Sequence, residues 1–421
     1  MAFAVRAALV VGMRQYLDLE RYELERVALA LAAGQGFANP YSLATGPTAH
    51  VSPGYPIILS QIYRLFGTGI PAELVKQLLA CAVTALQCAL IPTVARILGF
   101  TTITGLTAGT LSALLPLKFQ TETTGDWEAN YTALALLLLT AHTVWTWRSG
   151  DFSFRSGLRH GACWGVSLLF ASALMPLWIV LLAGSLFRGR SLRFGVAQIL
   201  TVGLLLAPWA VRNYRELGSF IVTRSNTGLE LRFSNNDSAS AREPINLRRG
   251  LYDRYHPLQN RAEALKVRQM GEVAYNREAM AQAADWIATH PARFAAKTLE
   301  RFWIYWFPVD TGGLIKGVLL WFISGFGLAG FWYWSRTGEV SVPVIGAILA
   351  VYPLPNYLIH VGLRHSYAIE WLTEILACYL LLQVLRVLQV LRVLKVLRVL
   401  QVLGCYKWSG VTSALVGGQE R

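Results

Sequence analysis

Apolar residues in this chain gather in long runs, not in the period-two alternation of a half-buried strand. The runs fall at 54–67, 74–98, 103–118, 131–147, 160–174, 176–187, 195–211, 314–334, 340–361 and 366–385. Ala2–Met13 adds a shorter run, interrupted by Arg6. A perpendicular bilayer crossing takes about 20 residues, and these unequal runs predict about ten or eleven spans. Pro176 divides one apolar stretch in two, as a helical hairpin or a broken helix requires, because proline has no N–H to continue a helix. Arg6 and Arg14 are expected to snorkel to the two interfaces of a short first span; alternatively, that span starts upstream. The fold class expected is an all-α polytopic membrane protein.

Three polar segments separate the runs: 18–53, 119–130 and 212–313. They carry 4, 3 and 11 of the 24 acidic residues, whereas the loops Trp147–His160 and Arg188–Arg193 are mainly basic. Basic loops stay in the cytoplasm. The acid-rich segments should then face the exoplasm, and strict alternation requires one run between 54 and 118 not to cross. The organisation expected is a transmembrane module at 1–211, an exoplasmic segment at 212–313, C-terminal spans at 314–385 and a basic low-complexity tail at 386–421. In 212–313, Asn260–Thr289 reads as helical until His290-Pro291 breaks it. Phe294–Phe307, rich in aromatic and basic residues, reads as an interfacial helix. The tail repeats Val-Leu-polar every third residue, which winds its polar positions around a helix. It reads as a low-complexity extension of the last span or as a membrane-surface helix.

Composition changes the picture only by exclusion. The 421 residues are 54% hydrophobic and 15% charged, against about 25% charged in soluble domains. That excludes a soluble enzyme and a disordered chain. The net charge of +14 reflects membrane-flanking loops, and no basic face interleaved with aromatics marks a nucleic-acid partner. The cysteines Cys81, Cys88, Cys163, Cys378 and Cys405 have neither zinc nor CxxC spacing and are expected to be free thiols. No Gly-rich strand–helix turn marks a nucleotide cofactor.

Candidate chemistry sits in the acid-rich segments. In Asp18-Leu-Glu20-Arg-Tyr22-Glu23-Leu-Glu25-Arg26, residues 20 and 23, and 21 and 25, can share a helix face. One of these carboxylates can serve as a general base at the membrane surface; the plainer reading is a solvated helix face. Gly34-Gln-Gly36, Asn39-Pro40 and Thr45-Gly-Pro-Thr48-Ala-His50-Val-Ser-Pro53-Gly-Tyr55-Pro56 are turn formers that pin a structured loop. Glu122, Asp126, Trp127 and Glu128 form a second acidic element, either an interfacial anchor or a second carboxylate site.

These strings resemble a family. Tyr22 to Pro40, Thr45-Gly-Pro-Thr-Ala49, Pro53-Gly-Tyr55-Pro56, Trp127-Glu128, Pro208-Trp209-Ala-Val-Arg212-Asn213-Tyr214, Arg224-Ser-Asn226-Thr-Gly228-Leu-Glu230, Asn235-Asn236, Gly271-Glu272-Val-Ala-Tyr275 and Tyr357-Leu-Ile-His360-Val-Gly-Leu-Arg364-His365 are similar to bacterial glycosyltransferase family 39. That family has the GT-C membrane fold and is related to protein mannosyltransferases and lipid A aminoarabinose transferases. The resemblance covers residues 1–380 and implies transfer of a sugar from a polyprenyl-phosphate donor to a lipid, glycan or protein acceptor, with inversion. The catalytic face would be the periplasmic side of a bacterial inner membrane.

Carried over, the resemblance makes Glu23 the base, with Glu20 as its alternate, and Glu128 the second-loop acid. Arg212 and Arg364 would hold the lipid phosphate, and Tyr55, Asn226 and His360 complete the substrate-binding set. Glu128 with Asp126 would hold a divalent metal, Mg²⁺ or Mn²⁺. The first acid is a Glu where wider relatives have Asp. The rival readings are a transporter or lipid flippase, which calls for repeats and mid-membrane charges, and a catalytically inactive member of the family.

Overall fold

The computed structural model describes residues 1–402. The end of the expected 386–421 tail, with Cys405, lies outside the described residues. Within them the backbone is helical, with two isolated bridges, Ala38 with Pro47 and Arg242 with Val361, and no strand.

The first half runs α1 (Ala2–Met13), α2 (Glu23–Ala32), α3 (Gly54–Phe66), α4 (Ile70–Leu98), α5 (Thr102–Leu114), α6 (Phe119–Thr123), α7 (Ala129–Ser149), α8 (Phe154–Phe170), α9 (Met175–Gly189) and α10 (Leu192–Leu217). Side-chain caps start several of them: Thr101 accepts from the Thr104 amide, Ser153 from Ser156 and Ser191 from Phe194, each satisfying a free N–H of a first turn. Pro176 lies in the first turn of α9, so the break expected there is present.

The polar segment then carries α11 (Thr227–Ser234), α12 (Glu243–Arg248), α13 (Leu251–Tyr255), α14 (Arg261–Met270), α15 (Glu272–Thr289) and α16 (Pro291–Trp306). The single helix expected over 260–289 is two. Gly271, at φ +81°, separates them, a conformation that L side chains disfavour. A helix is present over the expected 294–307 region as α16, with Leu299, Phe302 and Trp303 exposed. The chain closes with α17 (Leu314–Trp334), α18 (Val342–Val351), α19 (Leu354–Leu358) and α20 (Glu370–Val402).

Five helical stretches are long and apolar enough to cross a bilayer: Ile70–Leu98, Ser172–Gly189, Leu192–Leu217, Leu314–Thr337 and Leu363–Leu397. Of the other apolar runs, 131–147 falls in the 21-residue α7 and the rest form helices of 17 residues or fewer. This is an all-helical, integral membrane protein.

Helix α4 fixes the two ends of the bundle. Its first turns carry Glu73 and Lys76, which meet α2 and the loop before α7. At its other end the Leu98 carbonyl accepts from Ser341 Oγ at 2.6 Å, and the Ile97 carbonyl accepts from Arg148, which pairs with Glu339. Helix α3 stays at the first end. Tyr55 near its start bonds the Gly125 carbonyl, Tyr63 near its finish bonds Glu25 at 3.1 Å, and the Thr68 carbonyl beyond it accepts from Arg21. Both ends of the run 54–67 thus contact residues at this same end of the bundle.

Small residues let the spanning helices approach. Gly157, Gly161 and Gly165 on α8 face α10, and a Cβ on Gly161 would lie 2.7 Å from the Gln198 carbonyl. On α17, Gly327 faces Thr373 of α20, where a Cβ would lie 2.9 Å from the carbonyl, and Gly330 faces Leu376. Close backbone approach of this kind supplies van der Waals contact where lipid removes the hydrophobic drive.

Arg6 does not snorkel. It is buried, with its guanidinium 2.5 Å from Glu122 and bonded to the carbonyls of Ser112 and Ala113. An uncompensated charge there would be expensive, and Glu122 of the second loop supplies the compensation. The N-terminal helix is thereby tied to the loop that enters the site.

Candidate active site

The three acid-rich segments meet at one end of the bundle. Helix α2 starts at Glu23, not at Glu20, which splits the two candidate bases. Glu20 is exposed and outside the helix, whereas Glu23 is 4% exposed, at the first helical position. The face shared by 20 and 23 does not form.

Glu23 has an unusual setting. Burial pushes its carboxyl up to about 7, with Glu230 raising it further and its own backbone N–H, Arg364 and Arg224 opposing. Its Oε1 lies 3.4 Å from His256 Nε2. Its Oε2 is buried with no hydrogen-bond partner in the protein. His256 accepts the Leu258 amide on Nδ1 at 3.2 Å. Burial, with His360 and Arg232 nearby, lowers His256 to about 3. The ring is therefore neutral at pH 7 with its proton on Nε2, aimed at Glu23. One carboxylate oxygen faces the imidazole and the other is free.

Around this carboxylate stand two guanidinium groups. Arg364 lies 2.5 Å from Glu243 and 4.6 Å over the ring of Trp127, which itself packs 5.5 Å from Tyr22. Burial alone would raise Glu243, but Arg364 and His360 hold it well below the usual carboxylate range. Arg224 lies 3.7 Å from Glu128, and its Nε is buried without a partner. Asn226 caps α11 and donates to Glu230 at 3.1 Å. His360 bonds Ser234 through Nδ1 and lies 3.7 Å from Glu243.

Arg212 and Tyr55 are placed elsewhere. The Arg212 guanidinium donates to the carbonyls of Thr48 (2.6 Å) and Phe37 (2.5 Å) and lies over the rings of Trp209 and Phe37. These two bonds clamp the first loop. Glu272 completes the clamp: it accepts from the Ala49 amide at 2.8 Å, from Ser225 Oγ at 2.6 Å and from Thr48 Oγ1. Tyr55 is buried and commits its hydroxyl to the Gly125 carbonyl. It pins the second loop and offers nothing to a substrate.

The expected metal pair does not fit either. A divalent ion needs several oxygen or nitrogen ligands facing a common point. Among the described residues no group of three or more His, Cys, Asp or Glu is arranged to hold one. Asp126 is 2.9 Å from Lys76 Nζ, and Glu128 faces Arg224. Protein cations already occupy both acids.

Sequence reasoning missed His256, Arg224 and Lys76. Arg224 had a signal, its place two positions before Asn226 in one of the strings that resemble the family. His256 and Lys76 had none, because their partners come from segments far away in sequence.

No protein family model and no curated protein matches this chain. Sequence comparison therefore does not confirm the family 39 resemblance. Solved structures do match in fold. The oligosaccharyltransferase AglB of Archaeoglobus fulgidus, in complex with an inhibitory peptide and a dolichol-phosphate, superposes with TM-score 0.54 at 13% identity over 97% of this chain and 52% of its own. The same archaeon's oligosaccharyltransferase in complex with Zn and sulfate gives 0.53 at 12% identity, over 95% of this chain and 51% of that one. The enzyme tethered to an acceptor peptide containing the NVT sequon gives 0.51 at 12% identity, over 93% and 50%.

The likeness is one of fold. It extends over nearly all of this chain, which spans about half the length of those proteins.

Proposed function

We propose that this protein is an inverting membrane glycosyltransferase that takes a sugar from a polyprenyl-phosphate donor and passes it to a lipid, glycan or protein acceptor on the exoplasmic face. The observation that carries this reading is Glu23: a buried carboxylate with one oxygen 3.4 Å from a neutral histidine and the other unpartnered, facing two arginines. The fold shared with oligosaccharyltransferases, one of them bound to a dolichol-phosphate, supports the class of donor.

The chemistry follows from the groups present. Glu23 Oε2 accepts the proton of the acceptor as its oxygen or nitrogen attacks the anomeric carbon. The bond from that carbon to the phosphate oxygen breaks, and its electron pair leaves with the polyprenyl phosphate. Arg224 and Arg364 hold the departing anion, since guanidinium donors match phosphate oxygens. A base near pKa 7 balances basicity against the fraction ionised at neutral pH. Attack from the face opposite the leaving group inverts the anomeric carbon. Arg224, with its free Nε, replaces Arg212 as the first phosphate ligand, and Asn226 and His360 orient Glu230 and Glu243 behind it.

The test is reconstitution of the purified protein in liposomes with labelled polyprenyl-phosphate hexoses and pentoses and a cell-envelope extract as acceptor. Transfer of label that depends on the protein is expected with at least one donor. No transfer with any donor, while control transferases turn over, would overturn the proposal.

A further inference from the structure

Lys76 enters the site from the second turn of α4 and reaches acids from three segments. Its Nζ lies 2.7 Å from Glu25 Oε1 on α2, 2.9 Å from Glu73 Oε2 on its own helix and 2.9 Å from Asp126 Oδ1 in the second loop. Lys76 is 2% exposed, Glu73 1% and Glu25 fully buried. Arg21 closes the group, 2.5 Å from Glu73 and 3.4 Å from Glu25. Three carboxylates face two cations, and the cluster carries one net negative charge.

Three carboxylate oxygens from separate segments converge on one point, as the ligands of a divalent cation do, but at a wider spacing. Here the point is a nitrogen, and the oxygens stand off by 2.7–2.9 Å, farther than the roughly 2.0–2.6 Å of magnesium or calcium. An ammonium is a point charge with three donors. It satisfies one oxygen from each acid and ties the first loop to the second, one residue before the Trp127 ring beneath Arg364.

We propose that Lys76 is a built-in replacement for a divalent cation. Its ammonium holds Asp126 and the start of α2 in register, so that the site is assembled without a metal and sugar transfer is insensitive to chelation. Removing the ammonium leaves two net negative charges on three converging carboxylates, which a divalent ion neutralises. The transfer arm of this inference rests on the function proposed above; the binding arm stands alone.

The full-length protein, purified in detergent and stripped with chelator, is titrated with MnCl₂. Bound Mn²⁺ is read by electron paramagnetic resonance and unfolding by intrinsic fluorescence. The wild type is expected to bind no stoichiometric Mn²⁺ and to keep its melting temperature. Lys76→Met is expected to bind a single ion per chain, with a melting temperature raised by about 5 °C on binding. Lys76→Met/Asp126→Asn, lacking one ligand, should bind about tenfold more weakly. Stoichiometric Mn²⁺ in the wild type, or a folded Lys76→Met that binds none, overturns the proposal. So does failure to recover Lys76→Met in Mn²⁺ when the charge-balanced Lys76→Met/Glu73→Gln variant is recovered. If the wild type shows no transfer with any donor, the functional reading fails while the Mn²⁺ titration still decides the role of Lys76.

Discussion

The Nε2 of His256 stands 3.4 Å from Glu23 Oε1 while its Nδ1 accepts the amide of Leu258. The amide fixes the tautomer, and the tautomer fixes which carboxylate oxygen remains open. A loop at 256–258 thus sets the direction in which a helix-start glutamate can take a proton. His256→Ala should lower kcat by about 10–100-fold with little change in KM for the donor, since the ring orients the base and does not bind the phosphate. His256→Gln, which keeps an N–H donor, should recover part of that loss. Steady-state kinetics on both variants checks it; equal losses would assign the ring a packing role.

The acid limb of kcat/KM should titrate near pH 7, because burial holds Glu23 up to about 7. Activity rises as pH increases through that value and the carboxylate loses its proton. Stability moves the other way. Between the ordinary carboxylate value of 4.5 and about 7, the folded chain keeps a proton that the unfolded chain has released. The contribution of Glu23 to stability therefore declines as pH rises through that window and stays low above it. Glu23→Gln should remove that slope, which melting curves from pH 4.5 to 7.5 would record.

Arg212 and Arg224 should separate cleanly. Arg212→Ala removes donors to two carbonyls of the first loop and should lower the melting temperature while leaving donor KM near wild type in the folded fraction. Arg224→Ala should raise donor KM by about tenfold or more, the loss of a charge-assisted contact of about 1.5–3 kcal/mol. A raised donor KM in Arg212→Ala alone would return the phosphate to Arg212.

Helix packing gives a stability contrast. Gly161→Ala on α8 pushes a methyl against the Gln198 carbonyl, whereas Gly203 on α10 has nothing within 4 Å of an added Cβ. Gly161→Ala should destabilise by about 1–3 kcal/mol, and Gly203→Ala should be neutral or stabilising, because alanine is the better helix former. Thermal unfolding in detergent measures both.

The helices were legible in the sequence because apolar runs are local signals. The end of one helix and the start of the next at Pro176 was legible for the same reason. Two errors show the limit. The split at Gly271 is a backbone conformation that helix-forming neighbours conceal. The start of α2 at Glu23 is fixed where the Tyr22 amide donates to the Glu25 carboxylate, not by the Asp18–Glu20 stretch that looks equally helical. At the site, the acids were visible as an excess in three segments. Which acid is paired was not, because each partner is distant: Arg6 for Glu122, Lys76 for Asp126 and Arg224 for Glu128. The contacts of Arg212 with the Thr48 and Phe37 carbonyls were equally hidden, because both lie more than 160 residues away in sequence.

The central claim is that Glu23 is the base, and single-turnover transfer by Glu23→Gln beside Glu20→Gln tests it most directly. The Gln side chain keeps the shape and the contact with His256 but cannot take the proton. The account predicts a fall in the transfer rate of at least about 100-fold for Glu23→Gln, with donor binding retained, and near-wild-type transfer for Glu20→Gln. Wild-type transfer by Glu23→Gln, or loss of transfer in Glu20→Gln alone, would contradict it.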